Sequence, residues 1–207
     1  MISSTGSSGT RKSVDLSLRC LAAADVPAVE AILLGNRPLF SDEECRTAME
    51  MVRQALETPH AEDPYQLLVA VDAGEPDAGP AGTGAFPAAP PVIAYACFGT
   101  IPLTEGAYDL YWIAVHPAYH ARGVGRALLL RCEEAIAAQG GRLIVVETSG
   151  RTEYARTRRF YARTMGYETV ARIRDFYRSG EDKVVYVKYL GSDRGGRRGG
   201  TGGAESV

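Results

Sequence analysis

The sequence predicts an α/β (α+β) fold, with one domain built on a mixed, mostly antiparallel central sheet of six to seven strands and about four helices. Three observations carry this reading. Short alternating or wholly apolar runs recur between clusters of turn residues, as strands do. Two helical periods precede most of them. In the second half a strand, a helix and a strand follow one another, and such a crossover makes its two strands parallel among neighbours that hairpins make antiparallel.

Taken in order, residues 14–20 (VDLSLRC) alternate apolar and polar side chains as a half-buried strand. Asp25 stands where it can cap a helix running to about Leu34. Ser41 and Glu44 form a capping box for a second helix, in which Cys45, Ala48, Met49, Val52 and Leu56 recur at three- and four-residue spacing. Residues 66–71 and 92–99 predict an antiparallel pair of strands around a segment, 73–91, dense in Gly, Pro and Ala and expected to be a flexible loop. Residues 108–115 (YDLYWIAV) are aromatic and β-branched, hence a central strand.

The period then changes. Residues 124–138 place Ala127, Leu128, Leu130, Ala135 and Ile136 on a helix that stops at Gly140 and Gly141. Residues 143–147 (LIVVE) suit a strand buried on both faces and parallel to 108–115. A helix over 152–164 ends at Gly166, and 168–176 with 183–190, joined by SGED, form a terminal antiparallel pair.

At 207 residues the chain suits a single cored domain, and 45 % apolar with 23 % charged residues are ordinary for a globular protein in water. That domain is expected over 14–190, between disordered ends at 1–13 and at 191–207, a Gly/Arg-rich tail. The net charge of −2 gives no basic field to attract nucleic acid, and the tail is short and without aromatics. No apolar run approaches the ~18 residues of a membrane span, and the start has no signal-like stretch, so a cytoplasmic protein without a membrane partner is expected.

Cys20, Cys45, Cys97 and Cys132 lie far apart, which implies buried thiols and neither zinc nor disulfides. His116 and His120 are four apart, but Pro117 between them predicts a turn and no third ligand is near, so no metal is expected.

The most informative stretch is HARGVGRALLL, residues 120–130, where Gly123 and Gly125 stand between a strand and a helix. The unpartnered amides of a first helical turn point outward together and, with the helix dipole, suit a phosphate. Arg122 and Arg126 add positive charge. The Gly-Lys-Ser/Thr of a P-loop is missing, as is a dinucleotide fingerprint.

These residues resemble the GNAT acetyltransferases, whose coenzyme A signature is Gln/Arg-x-x-Gly-x-Gly/Ala after the fourth strand. His120 departs from the first position while Gly123 and Gly125 fit, and the overlapping register Arg122, Gly125, Ala127 fits throughout. FYARTMGY, residues 160–167, is similar to a second element of the superfamily, with Tyr161 at its tyrosine and with Tyr154 and Thr157 in place of the usual Asn and Ala. The resemblance spans roughly 14–190 and suggests a divergent branch.

It implies a GNAT fold splayed between the fourth and fifth strands and an N-acetyltransferase that moves an acetyl group from acetyl-CoA to a primary amine in a ternary complex, without metal. The coenzyme would lie along Ile113, Ala114 and Val115, with the Val115 amide polarising the thioester oxygen, and against Arg122, Gly123, Val124, Gly125, Arg126 and Ala127. Tyr161 is the expected acid for the thiolate. For the base, Asp109 stands where a histone-acetylating branch carries a glutamate, with Glu147 and Glu105 as rivals.

The acceptor, a small molecule or a protein amine, would meet the early helices and Asp175, Phe176, Tyr177, Glu181 and Asp182 of the terminal hairpin, unless that hairpin carries only solvated charge. A homodimer is compatible with this reading. The alternative function is a coenzyme A-binding sensor with weak catalysis.

Overall fold

A computed structural model describes residues 14–37, 39–58, 65–74 and 91–191. The expected disordered ends and most of the Gly/Pro loop fall outside the described residues. Within these residues seven strands form one sheet: β1 (Leu16–Cys20), β2 (Gln66–Asp72), β3 (Val92–Thr100), β4 (Ala107–Val115), β5 (Leu143–Ser149), β6 (Glu168–Arg178) and β7 (Glu181–Tyr189). Their spatial order is β1-β2-β3-β4-β5-β7-β6. Among the described residues four α-helices flank it: α1 (Val26–Gly35), α2 (Asp42–Glu57), α3 (Val124–Ala138) and the short α4 (Ala155–Arg159).

Helices cover both faces of the sheet. Leu128, Leu129, Cys132 and Ile136 of α3 pack with Ala94, Ala96 and Phe98 of β3 and with Ile144 and Val146 of β5. On the other face Val29, Ile32 and Leu33 of α1 and Ala48, Met49 and Val52 of α2 meet Val69, Tyr95 and Cys97. The period-two alternation of β3 therefore feeds two cores at once, which is why its whole middle reads as apolar. Each large apolar side chain buried this way stabilises by about 1.5–3 kcal/mol.

The parallel pair predicted from the crossover is present, and every other pairing in the sheet is antiparallel. It is short. Ala107–Leu110 of β4 pair with Leu143–Val146 of β5, and beyond that point the strands part. The cause lies on the opposite edge of β4: Phe98 faces Leu110 and Cys97 faces Trp112, so Tyr111 is one residue too many and forms a bulge. A bulge bends its strand and sharpens the twist, here at the residue where pairing with β5 ends. It also shifts side-chain parity, so that Tyr111 and Trp112 both join the core on the α1–α2 side.

Several expectations need correction. The strand predicted from 14 begins at Leu16. Asp25 does not cap α1 through its side chain; its carboxylate instead accepts the Ala22 N–H at 2.8 Å and pairs with Arg19 at 2.6 Å. β5 is not buried on both faces, because Ile144 and Val146 are covered while Glu147 is exposed. The helix predicted over 152–164 is composite: a 3-10 turn (Thr152–Tyr154), α4, then a π-helical turn (Phe160–Thr164). The last hairpin turns on Ser179 and Gly180 alone, since Arg178 already faces Glu181. Cys20 is exposed, unlike the three buried thiols. Among the described residues no helix is long and apolar enough to cross a membrane.

Candidate active site

The gap between β4 and β5 is one end of a cleft of about 890 Å³. At the carboxyl end of β4 the chain passes through a 3-10 turn (Pro117–Tyr119) into α3. Gly123 precedes the helix with φ +84, a left-handed conformation that costs an L-residue about 1–2 kcal/mol, and a Cβ there would meet nothing within 4 Å. Position 123 is therefore open on the side a side chain would take.

The first intrahelical bond runs from the Ala127 N–H to the Gly123 carbonyl at 3.0 Å. The amides of Gly123, Val124, Gly125 and Arg126 precede it and have no hydrogen-bond partner among the described residues, while that of Ala127, expected with them, is taken by the helix. Gly125 lies against β4: a Cβ there would come 3.4 Å from Val115 Cγ2, the near limit of ordinary contact. Arg122 and Arg126 are exposed beside it, with the Arg122 guanidinium 5.2 Å from the centre of the Tyr119 ring.

The end of β4 is pinned from three sides. The His116 N–H donates to the Ile93 carbonyl at 2.8 Å, and the Val115 carbonyl accepts Asn36 Nδ2 at 3.0 Å and His120 Nε2 at 2.8 Å. Since the carbonyl only accepts, the His120 proton sits on Nε2. His120, at the departed signature position, thus ties the turn to the strand. Strand alternation sends the His116 amide towards β3 and turns the Val115 and Ile113 amides the other way, to the gap that β5 has left. Ala114, between them, faces the α1–α2 core.

The structure brings the three catalytic candidates to the same cleft: Asp109, Glu147 and Tyr161 all line it. Tyr161 is only 4 % exposed, its ring among Phe160, Tyr167 and Tyr186. Burial above all, with Cys132 and Tyr186 adding to it, pushes its phenol well above the usual tyrosine range, so it keeps its proton. Half-burial raises the Asp109 carboxyl, the charge of Glu147 raises it further, and Lys183 works against both. Glu147 is held by Lys183 Nζ at 2.6 Å. Glu105 does not line the cleft; its carbonyl accepts Arg142 Nε at 2.6 Å.

The hairpin divides. Tyr177 and Glu181 line the cleft, whereas Asp175, Phe176 and Asp182 do not. Asp182 accepts Arg172 Nε at 2.6 Å and the Asp175 N–H at 3.1 Å; Asp175 accepts the Gly180 N–H at 2.6 Å; and Phe176 lies under Lys183 Nζ at 4.0 Å. These three build the hairpin.

Sequence reasoning placed the early helices at the acceptor mouth but named none of the residues of this opposite wall. Asp42, Glu43 and Glu44, at the start of α2, line the cleft with Phe40 and Trp112. Their signal was present in the capping box, but a cap accounts for acid at a helix start without invoking a ligand. Also unforeseen is a bridge across the mouth. The Leu39 carbonyl accepts Arg151 Nη2 at 3.2 Å and lies 3.0 Å from the Tyr154 hydroxyl, and Arg151 pairs with Glu181 at 3.3 Å. Burial above all, with the charges of Glu147, Glu181 and Glu44 adding to it, raises the Tyr177 phenol. The cleft lining holds six acids, Asp42, Glu43, Glu44, Asp109, Glu147 and Glu181, against the three arginines Arg46, Arg151 and Arg178, an excess of negative charge. It suits a cation.

Comparison with known proteins agrees with this geometry. The acetyltransferase (GNAT) family model matches residues 37–167. A GNAT-family acetyltransferase structure from Desulfovibrio desulfuricans is 36 % identical, with a TM-score of 0.71 over 84 % of this chain and 98 % of that one. More distant structures share the fold. The ribosomal-protein-S18-alanine N-acetyltransferase of Escherichia coli is 18 % identical, with a TM-score of 0.61 over 84 % of this chain and 94 % of that one. YncA of Salmonella typhimurium, solved with acetyl-CoA, is 18 % identical, with a TM-score of 0.59 over 87 % of this chain and 96 % of that one. No match to the sequence was found among curated proteins.

Proposed function

We propose, from the premise that this chain belongs to the GNAT acetyltransferase family, that it transfers an acetyl group from acetyl-CoA to a cationic primary amine by direct attack in a ternary complex. One observation carries the reading: amides at Gly123–Arg126, without a hydrogen-bond partner among the described residues, lie by the Val115 end of β4, and a cleft lined by acids runs along Asp109–Ile113 of the same strand, where it has left β5.

The residues present fit the coenzyme. The four free amides and the front of α3 suit its pyrophosphate, with Arg122 and Arg126 alongside. The Ile113 and Val115 amides, turned into the gap, suit the pantetheine arm and the thioester oxygen. When bound, the coenzyme supplies an activated acyl group.

The chain's own residues supply the rest. An amine with a pKa near ~10 is mostly ammonium at neutral pH, and the cleft acids favour that form on entry. Asp109, free of any ion pair within 4 Å among the described residues, takes up the proton directly or through water. Tyr161 holds its proton throughout the neutral range and donates it towards the departing sulfur.

The test pairs coenzyme binding with thiol release. Acetyl-CoA should raise the melting temperature, and a panel of di- and polyamines, amino-acid amides and peptides should release free thiol with at least one member. A melting shift without release from any amine would leave a coenzyme-binding sensor instead. Tyr161→Phe should lower turnover about 10- to 100-fold at unchanged coenzyme affinity; weakened binding with normal turnover removes Tyr161 from the chemistry.

A further inference from the structure

We propose that a groove between α4 and the β6–β7 pair binds an acidic, partly apolar peptide segment of a partner protein. The groove measures about 430 Å³ and shares no lining residue with the cleft. Its floor is the sheet face of the last two strands, where Thr169 pairs with Tyr186 and Arg172 with Val184. Its wall is one face of the helical segment, because residues 155, 158, 159, 162 and 163 recur at three- and four-residue spacing.

The site lies on the far flank of that segment from the coenzyme turn. Phe160, on the other flank, is the residue that approaches Gly125, with its ring 3.9 Å from the place of a Cβ there. Whatever fills the groove is therefore not the nucleotide that the proposed function places at the start of α3.

Charge selects the ligand. Residues 151–178 contain eight arginines against three acids, while the chain as a whole carries −2. Two of the groove's arginines are engaged: Arg158 donates to the Ser149 and Arg151 carbonyls at 2.7 Å, and Arg172 to Asp182 at 2.6 Å. Arg159 and Arg163 are exposed, and among the described residues neither has an acid within 4.0 Å. Two uncommitted guanidinium forks one turn apart suit two carboxylates.

The lining separates peptide from nucleic acid. Val184 on the floor and Ala155 and Ala162 on the wall give the groove apolar character, and its one ring, that of Tyr186, is buried and offers no face on which a base could stack. A short run in which acidic and apolar side chains alternate meets both features, the acids on the rim and the apolar groups on the floor.

Fluorescence anisotropy on the full chain tests this without turnover. The probes are a labelled eight-residue peptide of alternating Glu and Leu, the same peptide with Lys for Glu, and a twelve-nucleotide oligothymidylate. The Glu peptide should bind saturably and weaken as salt rises. The double variant Arg159→Ser/Arg163→Ser should weaken it about tenfold or more, as loss of two charge-assisted contacts requires. That variant should melt like the parent, and Arg53→Ser, an exposed arginine of α2 outside the groove, should change nothing. The proposal falls if the parent shows no saturable binding, if both variants lose it equally, or if the Lys peptide or the oligothymidylate binds more tightly.

Discussion

Asp109 and Glu147 are two carboxylates on neighbouring strands of one cleft, and their surroundings set them apart. Lys183 holds Glu147 in an ion pair, while Asp109 is half-buried and, among the described residues, without one. A base acts when deprotonated, so turnover at saturating acceptor should rise with pH through a value above the usual carboxylate range. Glu147→Gln removes a charge that raises the Asp109 carboxyl and should move this limb to lower pH; Lys183→Met removes a charge that lowers it and should move the limb to higher pH. Asp109→Asn should cost about 10²- to 10³-fold in turnover and abolish the limb. If Glu147→Gln instead abolishes activity and Asp109→Asn does not, the assignment is reversed. Linkage gives an independent readout. A carboxyl raised by folding stabilises the fold below its unfolded pKa and loses that contribution as pH rises through the folded value. The Asn variant should therefore melt no lower than the parent at neutral pH.

At the scale of elements, the turn between β4 and α3 combines a backbone device with a side-chain one. Gly123 supplies a left-handed residue, and His120 with Asn36 holds the Val115 carbonyl. Because a Cβ at position 123 meets no neighbour, Gly123→Ala isolates the conformational cost of about 1–2 kcal/mol. The variant should melt a few degrees lower. If the left-handed turn aims the amides, it should also lose most of the stabilisation by acetyl-CoA. A variant that melts lower yet keeps the full coenzyme shift would separate the turn's geometry from binding. The bulge at Tyr111 acts one strand position beyond the last pairing with β5, and so sets where the gap begins.

Across the whole molecule, the cleft is a joint product of segments far apart in the chain. The α1–α2 connection provides Leu39, the segment after β5 provides Arg151 and Tyr154, and the last hairpin provides Glu181 and Tyr177. Tyr154→Phe removes a hydroxyl from the Leu39 carbonyl and from Glu44 Oε1 at 3.3 Å. It should loosen the acceptor mouth and raise the acceptor KM several-fold, leaving the coenzyme dissociation constant unchanged. An equal loss in coenzyme affinity would mean that the bridge supports the whole cleft.

Local pattern alone determined a good deal of this protein. α3 was legible to its end residues, because a glycine turn, a 3.6-residue period and a glycine stop are all encoded within one short segment. The parallel pair followed from the crossover, and the candidate coenzyme turn from the signature around Gly123 and Gly125. Tertiary structure decided what depends on partners distant in sequence. It took the Ala127 amide into the helix, spent Asp175 and Asp182 inside their hairpin, and brought Asp42–Glu44 into one cleft with Glu147. A carboxylate carries the same local signal whether it caps, pairs or waits for a substrate. Only its neighbours across the fold distinguish these, by burying it, supplying a cation, or leaving it alone in a cleft.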